Sequence, residues 1–505
     1  MSSNTFFLVL STCIFLYLLT TKLIRWKSGN VVRLPPGPYP LPIIGNIFEL
    51  GKNPHVSLTS LSKTYGGLMT LKLGSSITVV VSSPEFAKEI LLKHDLPFSS
   101  RWVPDTGRAG NHHLFSMFWL PVGDQWRRLR KLSKEHLFSV QQLDAGQLLR
   151  RKKIQELVDY VHECFTSRKP INIGRVAFTT SFNVLSNFIF STDMARYDYD
   201  SLETQEFKDA VSSLADVLGK PNLADFFPLL KPLDPQGLLR KANVYIEKAM
   251  AILDGMVEQR VQVTAKSSSH AVSSTNDVLD LLLDLSRKNE SEFSRKDVLH
   301  LLYDLFSAAT DTTTSTMEWA MAELVRNPKK MAKTRSELEE FAGKDGMIIE
   351  ESDIGKLPYL EAVIKETLRL HPPTPFLLPH KALCDVEIGG FVVPKDAQIQ
   401  CNVWAIGRDP AVWSDPHEFM PERFLDIDID YRGRYFELIP FGSGRRICPG
   451  LPLAHRMLHL MLASLIQKFD WELEGGTRPE DMDMSERFGI TLHKNVPLVA
   501  IPIKI

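Results

Sequence analysis

Apolar positions recur every three or four residues along most of this chain, and only short stretches alternate. Residues 247–260, 301–326 and 453–468 keep the helical period over three turns or more, which predicts long helices buried along one face. The second ends at Asn327-Pro328, where a ring without an N–H stops the helix. Residues 71–81 and 386–394 alternate and predict strands. The segment SSSHAVSSTN, 267–276, is the one polar low-complexity stretch, read as a surface loop between helices. No internal repeat is visible. The pattern predicts a mainly α fold with a small β region.

The first apolar run differs from the rest. Residues 6–24 hold no acid and a single base, Lys22, and about 19 helical residues span roughly 30 Å, one hydrocarbon core. Lys22, Arg25, Lys27 and Arg33 cluster at its end, which keeps the remainder of the chain on the cytosolic side. There is neither a basic start nor a small-x-small cleavage site, so an anchor is favoured over a cleaved signal. The prolines of LPPGPYPLPIIGN then make a stiff spacer. The chain is therefore divided into a transmembrane anchor (1–25), a basic and proline-rich hinge (26–46) and a cytosolic domain (47–505).

Composition narrows the class. A chain of 505 residues, 44% hydrophobic, can bury a large core, and its net charge of −1 and lack of binding motifs give no sign of nucleic acid. Five scattered cysteines (Cys13, Cys164, Cys384, Cys401, Cys448) without a CxxC pair argue against a disulfide framework or a zinc site. On the cytosolic side the sequon at Asn289 is expected to stay unmodified.

Three constellations carry chemistry. In PFGSGRRICPG, Phe441, Gly444, Arg446, Cys448 and Gly450 are what a loop needs to present a thiolate to a haem iron. The glycines permit tight bending and close approach, Arg446 can reach a propionate, and Phe441 can shield the sulfur. The competing reading is a structural cysteine in a turn. In the long helix, Ala308, Ala309, Thr310, Asp311, Thr312 and Thr313 form a small, polar patch between apolar flanks. Threonines there can bend a helix, and Asp311 with Thr312 offers an acid and a hydroxyl to relay protons. A solvated threonine face is the plainer alternative. In KETLRLHPP, Glu366 and Arg369 share a helix face, and Arg423 of PERF can join them in a structural network.

Taken in this order, these motifs resemble the cytochrome P450 superfamily of haem-thiolate monooxygenases. PHVSLTSLSKTYG, WLPVGDQWRRLRK, GKPNLADFFPLL, EWAMAEL, YLEAVIKETLRLHPP, VWAIGRDP and ELIPFGSGRRICPGLPLA extend the resemblance, along nearly the whole chain, to plant microsomal enzymes of the geraniol-hydroxylase type. The resemblance implies the cytochrome P450 fold in one haem domain, with haem b (iron protoporphyrin IX) held by Cys448. It implies propionate donors at Trp126, Arg130, Arg101, His380 and Arg446, for each of which a surface ion pair is the alternative. Ala308 and Ala309 should flank the porphyrin. Relatives usually carry glycine at 309, so one extra methyl is expected above the ring.

The same resemblance implies O2, electrons from NADPH–cytochrome P450 reductase, and a single-pass location in the endoplasmic reticulum membrane. Arg127, Arg128 and Lys131 are a candidate docking face for that acidic flavoprotein. A small apolar substrate is expected, a terpenoid first, with a phenolic or coumarin as the alternative. Its pocket is expected from Phe115, Phe118, Trp102 and Trp119, from Leu305 and Phe306, from Thr374, Phe376 and Leu377, and from Phe488 and Ile490. None of these offers a charged clamp. A haem-thiolate isomerase or dehydratase and a non-catalytic haem-binding protein are the rivals. The acid–threonine pair counts against the first, and the anchor with its basic helix against the second.

Overall fold

The computed structural model describes residues 33–198, 202–267, 277–343 and 349–503. The expected anchor, the first part of the hinge and nearly all of the 267–276 loop lie outside the described residues. Among the described residues no helix is long and apolar enough to cross a membrane.

The longer helices are α1 (Pro54–Tyr65), α2 (Asp124–Leu132), α3 (Gln147–Ser167), α4 (Ile173–Phe190), α5 (Leu202–Leu218) and α6 (Leu238–Ser267). They continue with α7 (Val278–Lys288), α8 (Arg295–Arg326), α9 (Pro328–Ala342), α10 (Pro358–Leu370) and α11 (Leu451–Lys468). The axis of the molecule is α8. Ser294 and Asp297 close a capping box at its start, which explains why it begins six residues before the apolar period does. It packs against α4, α5, α6, α7, α10 and α11. Its second half (Met317, Met321, Leu324) lies in a core shared with α10 and α11, its first half (Leu301, Leu302, Phe306) in one shared with α4, α5 and α6.

Both stretches read as strands are hairpins. Residues 71–81 fall in β1 (Leu68–Leu73) and β2 (Ser76–Val81), turned at Gly74, whose φ is +60° and where a Cβ would meet the Phe226 carbonyl oxygen at 2.4 Å. Residues 386–394 form β6 (Val386–Ile388) and β7 (Phe391–Val393) around Gly389-Gly390, both at positive φ. Alternation alone does not mark a reversal. The main sheet has the order β1-β2-β8-β5-β3, with β3 Ser100–Arg101, β5 His380–Lys381 and β8 Gln398–Cys401. Arg101 pairs directly with His380 across β3 and β5, which brings two expected donors together. A small sheet of β4 (Ile171–Asn172), β9 (Asp470–Leu473) and β12 (Val499–Ile503) lies apart, and β10 (Glu486–Arg487) pairs with β11 (His493–Lys494).

Candidate active site

The cysteine loop is shaped by its neighbours. Gly444 has φ +63°, and a Cβ there would lie 2.2 Å from the Leu91 carbonyl oxygen, so only glycine fits. Gly450 has an ordinary backbone (φ −81°), which corrects the expectation of a tight bend there; an added Cβ would sit 3.8 Å from Cys448 Sγ. Cys448 N–H donates to the Phe441 carbonyl (2.9 Å), and the sulfur precedes the N-terminus of α11. Burial pushes the thiol pKa up, while the Gly450 N–H, the charge of Arg130 and the Leu451 N–H pull the other way.

On α10, Glu366 and Arg369 are fully buried and paired at 2.7 and 2.8 Å. Arg423 Nε donates to Glu366 at 3.1 Å. Arg369 also donates to the carbonyls of Gly407, Pro416 and Glu418, and Arg423 to that of Ser414, so the network stitches residues 407–423 to α10.

A cavity of about 260 Å³ separates the cysteine loop from α8. Of the expected cofactor and proton-relay residues, Cys448, Phe441, Arg446, Trp126, Arg130, Arg101, His380, Ala308, Asp311 and Thr312 line it. Arg446 stacks over the Trp126 ring (4.6 Å) and donates to the Ser99 carbonyl (2.9 Å) and to those of Met117 and Leu120. Arg130 donates to the Ile447 carbonyl, Arg101 to that of Leu378 (2.6 Å), and Arg101 Nε is buried with no partner among the described residues. The three arginines are half-buried and line the cavity, and among the described residues none is paired with a carboxylate. Burial, with the neighbouring arginine charge, holds Arg446 down at about 10 and depresses Arg101 as well.

Three guanidinium groups around one cavity, none of them neutralised by an acid among the described residues, are the complement of a dianion such as the two propionates of haem. With the soft sulfur of Cys448 opposite α8, the residues fit the group.

His380 departs from expectation. Burial and the charge of Arg101 hold its pKa well below the ordinary value, and Nδ1 lies 2.7 Å from the Phe98 carbonyl. A neutral ring that donates from Nδ1 presents Nε2 as an acceptor, so His380 is not the carboxylate donor the sequence suggested.

On α8, Tyr303, Ser307, Ala308, Asp311 and Thr312 share the cavity face. The hydroxyls of Thr310, Thr312 and Thr313 donate to the carbonyls of Phe306, Ala308 and Ala309 at 2.7–2.9 Å, and the helix runs unbroken through them. Ala309 does not line the cavity. It packs against the core shared with α4, α5 and α6, so its methyl is not the one that intrudes; the cavity-lining methyl is that of Ala308. Asp311 also borders a second, polar cleft of about 90 Å³ with Asp216, Arg487, Thr491 and His493.

Of the expected substrate contacts, Phe118, Trp119, Thr374, Leu377 and Ile490 line the cavity. Phe306 does not: it is fully buried against Phe182, Phe190 and Phe207, with ring centroids 5.2–5.8 Å away, and Leu305 belongs to the same core. Phe115 stacks on His300 (4.7 Å) instead. Phe376 and Phe488 meet edge-on (5.9 Å) and line a neighbouring cavity of about 160 Å³ together with Trp102. The sequence reading missed Val211, Leu214 and Leu218 of α5 and Ile246 of α6, which also line the cavity. Their i, i+3, i+7 stripe on α5 was visible, but a core helix shows the same stripe.

Fold and site together define a haem-thiolate oxidoreductase. The cytochrome P450 family model matches residues 35–499, and the chain belongs to that family. It is 54% identical to cytochrome P450 76T24 of Catharanthus roseus, over 97% of this chain and 96% of the relative. To cytochrome P450 76AD1 of Beta vulgaris it is 52% identical over 93% of each, and to geraniol 8-hydroxylase of Catharanthus roseus 50% over 94% and 95%. It is thus a monooxygenase that binds thiolate-ligated haem and uses O2, a redox partner and a small-molecule substrate.

Proposed function

We propose that this protein hydroxylates a small terpenoid of plant specialised metabolism. The observation that carries the reading is the cavity in which Cys448, three arginines without acid partners among the described residues and the Asp311–Thr312 pair share the lining with the apolar Val211, Leu214, Leu218 and Ile246. Haem held by a thiolate supplies dioxygen activation and oxygen insertion into a C–H bond.

The residues of this chain divide the remaining work. Cys448 would supply the thiolate to the haem iron, its charge eased by the Gly450 N–H, Arg130 and the Leu451 N–H. Arg101, Arg130 and Arg446 would hold the haem propionates, with Trp126 as the platform under Arg446. The Thr312 hydroxyl spends its hydrogen on the Ala308 carbonyl, which leaves its oxygen free to accept a hydrogen bond in the cavity. Asp311 touches both the cavity and the polar cleft, so its carboxylate can carry a proton from one to the other.

An apolar wall with no charged clamp suits a terpenoid skeleton, and a relative over most of the chain is a geraniol 8-hydroxylase. Electrons would come from NADPH–cytochrome P450 reductase: Arg127, Arg128 and Lys131 are exposed on α2 while Trp126 and Arg130 of the same helix face the cavity. The anchor at 1–25, the hinge at 26–46 and an endoplasmic reticulum location with a cytosolic domain complete this reading.

The test is incubation of membranes carrying the protein and a reductase with terpenoids, phenolics and coumarins, read by mass spectrometry. NADPH-dependent hydroxylation of a terpenoid supports the proposal. Oxidation of the phenolic or coumarin members alone, or conversion without NADPH, overturns it.

A further inference from the structure

Most polar groups on the cavity wall are spoken for. Thr312 and Ser307 donate to carbonyls within α8, and Asp311 pairs with His493. Three wall hydroxyls make no hydrogen bond among the described residues, that of half-buried Thr374 and those of two deeply buried residues. Tyr303, on α8, is 4% exposed and lines the cavity, and its hydroxyl makes no hydrogen bond among the described residues. Thr106 is 2% exposed, lines the same cavity, and its hydroxyl is likewise without a partner among the described residues. Neither hydroxyl is among the atoms sealed off in the protein, so each opens on the cavity. A polar group buried without a partner is costly, and such groups mark places where something else supplies the bond.

The two are held in place by an elaborate clasp. Asp304, next to Tyr303, accepts from the Ser116 hydroxyl (2.8 Å) and the Met117 N–H (2.7 Å), and lies 3.0 Å from His112 Nε2. His112 Nδ1 lies 2.8 Å from His300 Nδ1. If His300 donates from Nδ1 to His112 Nδ1, His112 carries its own proton on Nε2, on the side of the Asp304 carboxylate. The Tyr303 ring stands edge-on to His112 (5.1 Å, 86°). The segment that carries Thr106 is thereby tied to the helix turn that carries Tyr303. Burial and the charge of Asp304 push the phenol pKa up, so Tyr303 stays a protonated donor.

We infer that Tyr303 and Thr106 form the polar end of the substrate site, taking a hydroxyl or carbonyl oxygen of an otherwise apolar substrate and selecting it over the matching hydrocarbon. The inference rests on the monooxygenase reading and deepens it. A hydrocarbon entering the cavity would leave both hydroxyls unbonded, whereas an alcohol can accept from Tyr303 and exchange a bond with Thr106. Sites built around a substrate hydroxyl reject the analogue that lacks it far more strongly than apolar pockets reject a missing methylene. Asp304 acts here as a positioning residue.

The test uses the full-length haem-loaded protein and equilibrium binding, read by calorimetry, with two matched pairs of probes. These are geraniol with 2,6-dimethylocta-2,6-diene, and 4-propylphenol with propylbenzene. In the parent protein the oxygenated member of at least one pair should bind about tenfold or more tightly than its hydrocarbon. Tyr303→Phe, which removes one oxygen and little volume, should cut that preference to about threefold or less by weakening mainly the oxygenated member. Thr106→Val should do so in part, and Asp304→Asn should lower the preference while Tyr303 remains. An unchanged preference in Tyr303→Phe, or equal binding within both pairs in the parent, overturns the inference. Selective binding of the phenol alone upholds the anchor and overturns the terpenoid reading, so the two fail separately.

Discussion

Asp311 Oδ2 lies 3.2 Å from His493 Nε2, a link between the middle of α8 and the β10–β11 hairpin. Its two halves shift in opposite directions. Burial lowers the His493 pKa, but the hydrogen bond and charge of Asp311 outweigh it and the net shift is upward; Arg487 opposes and Glu318 adds to it. For Asp311, burial raises the pKa, but the bond and charge of His493 prevail and the net shift is downward.

These two directions set the sign of the pH effect. A raised histidine contributes stability in full below its unfolded pKa of about 6.5 and loses it as pH rises through the folded value. A lowered aspartate contributes above about 3.9 and loses it as pH falls through its folded value. The pair is therefore strongest between roughly pH 4 and 6.5 and fades as pH rises through the raised value of His493. His493→Gln should melt with a flatter dependence between pH 6.5 and 8.5, by roughly 1–2 °C, with Asp311→Asn behaving alike. Parallel melting curves for parent and variants would count against the pairing.

Cys448→Ser should lose the thiolate-type ferrous–carbonyl absorption, whereas Ser at Cys164, Cys384 or Cys401 should keep it. Those three are free thiols that do not line the cavity. Retention of the red-shifted band in Cys448→Ser would remove it as the ligand.

Thr312→Val should retain haem and substrate binding while product formed per NADPH falls by at least about tenfold, because the proton route loses its hydroxyl. Peroxide release measured beside NADPH consumption checks this. Unchanged coupling would confine Thr312 to helix packing.

Arg369→Lys should be severely destabilising, by about 3–5 kcal/mol, and should reduce haem content. A lysine has three donors and no planar fork, so it cannot serve both Glu366 oxygens and the carbonyls of Gly407, Pro416 and Glu418 together. Thermal melts with haem quantitation decide it.

Ala309→Gly should cost about 0.5–1 kcal/mol through helix propensity. Its product ratio should match the parent, because Ala309 faces the core and Ala308 the cavity. A shifted regioisomer ratio by chromatography would show that 309 does reach the substrate.

The sequence by itself determined the class of protein and most of its proximal chemistry. Cys448, Arg446 and Phe441 lie within eight residues, and Glu366 and Arg369 within one helical turn, so chain geometry alone brings them together. The long helix was legible because burial along one face imposes its period. Tertiary structure decided the rest. Ala308 and Ala309 are the same residue type side by side, and only the packing of α8 turns one toward the cavity and the other toward the core. Phe306 and Phe118 look equally suited to a guest, yet one fills an aromatic core and the other lines the cavity. His380 reads as a donor until the Phe98 carbonyl takes its proton-bearing nitrogen. The hydroxyls of Tyr303 and Thr106, without partners among the described residues, have no sequence signature at all. Whether a side chain is spent or available depends on partners far along the chain, and only the folded structure brings those partners within reach.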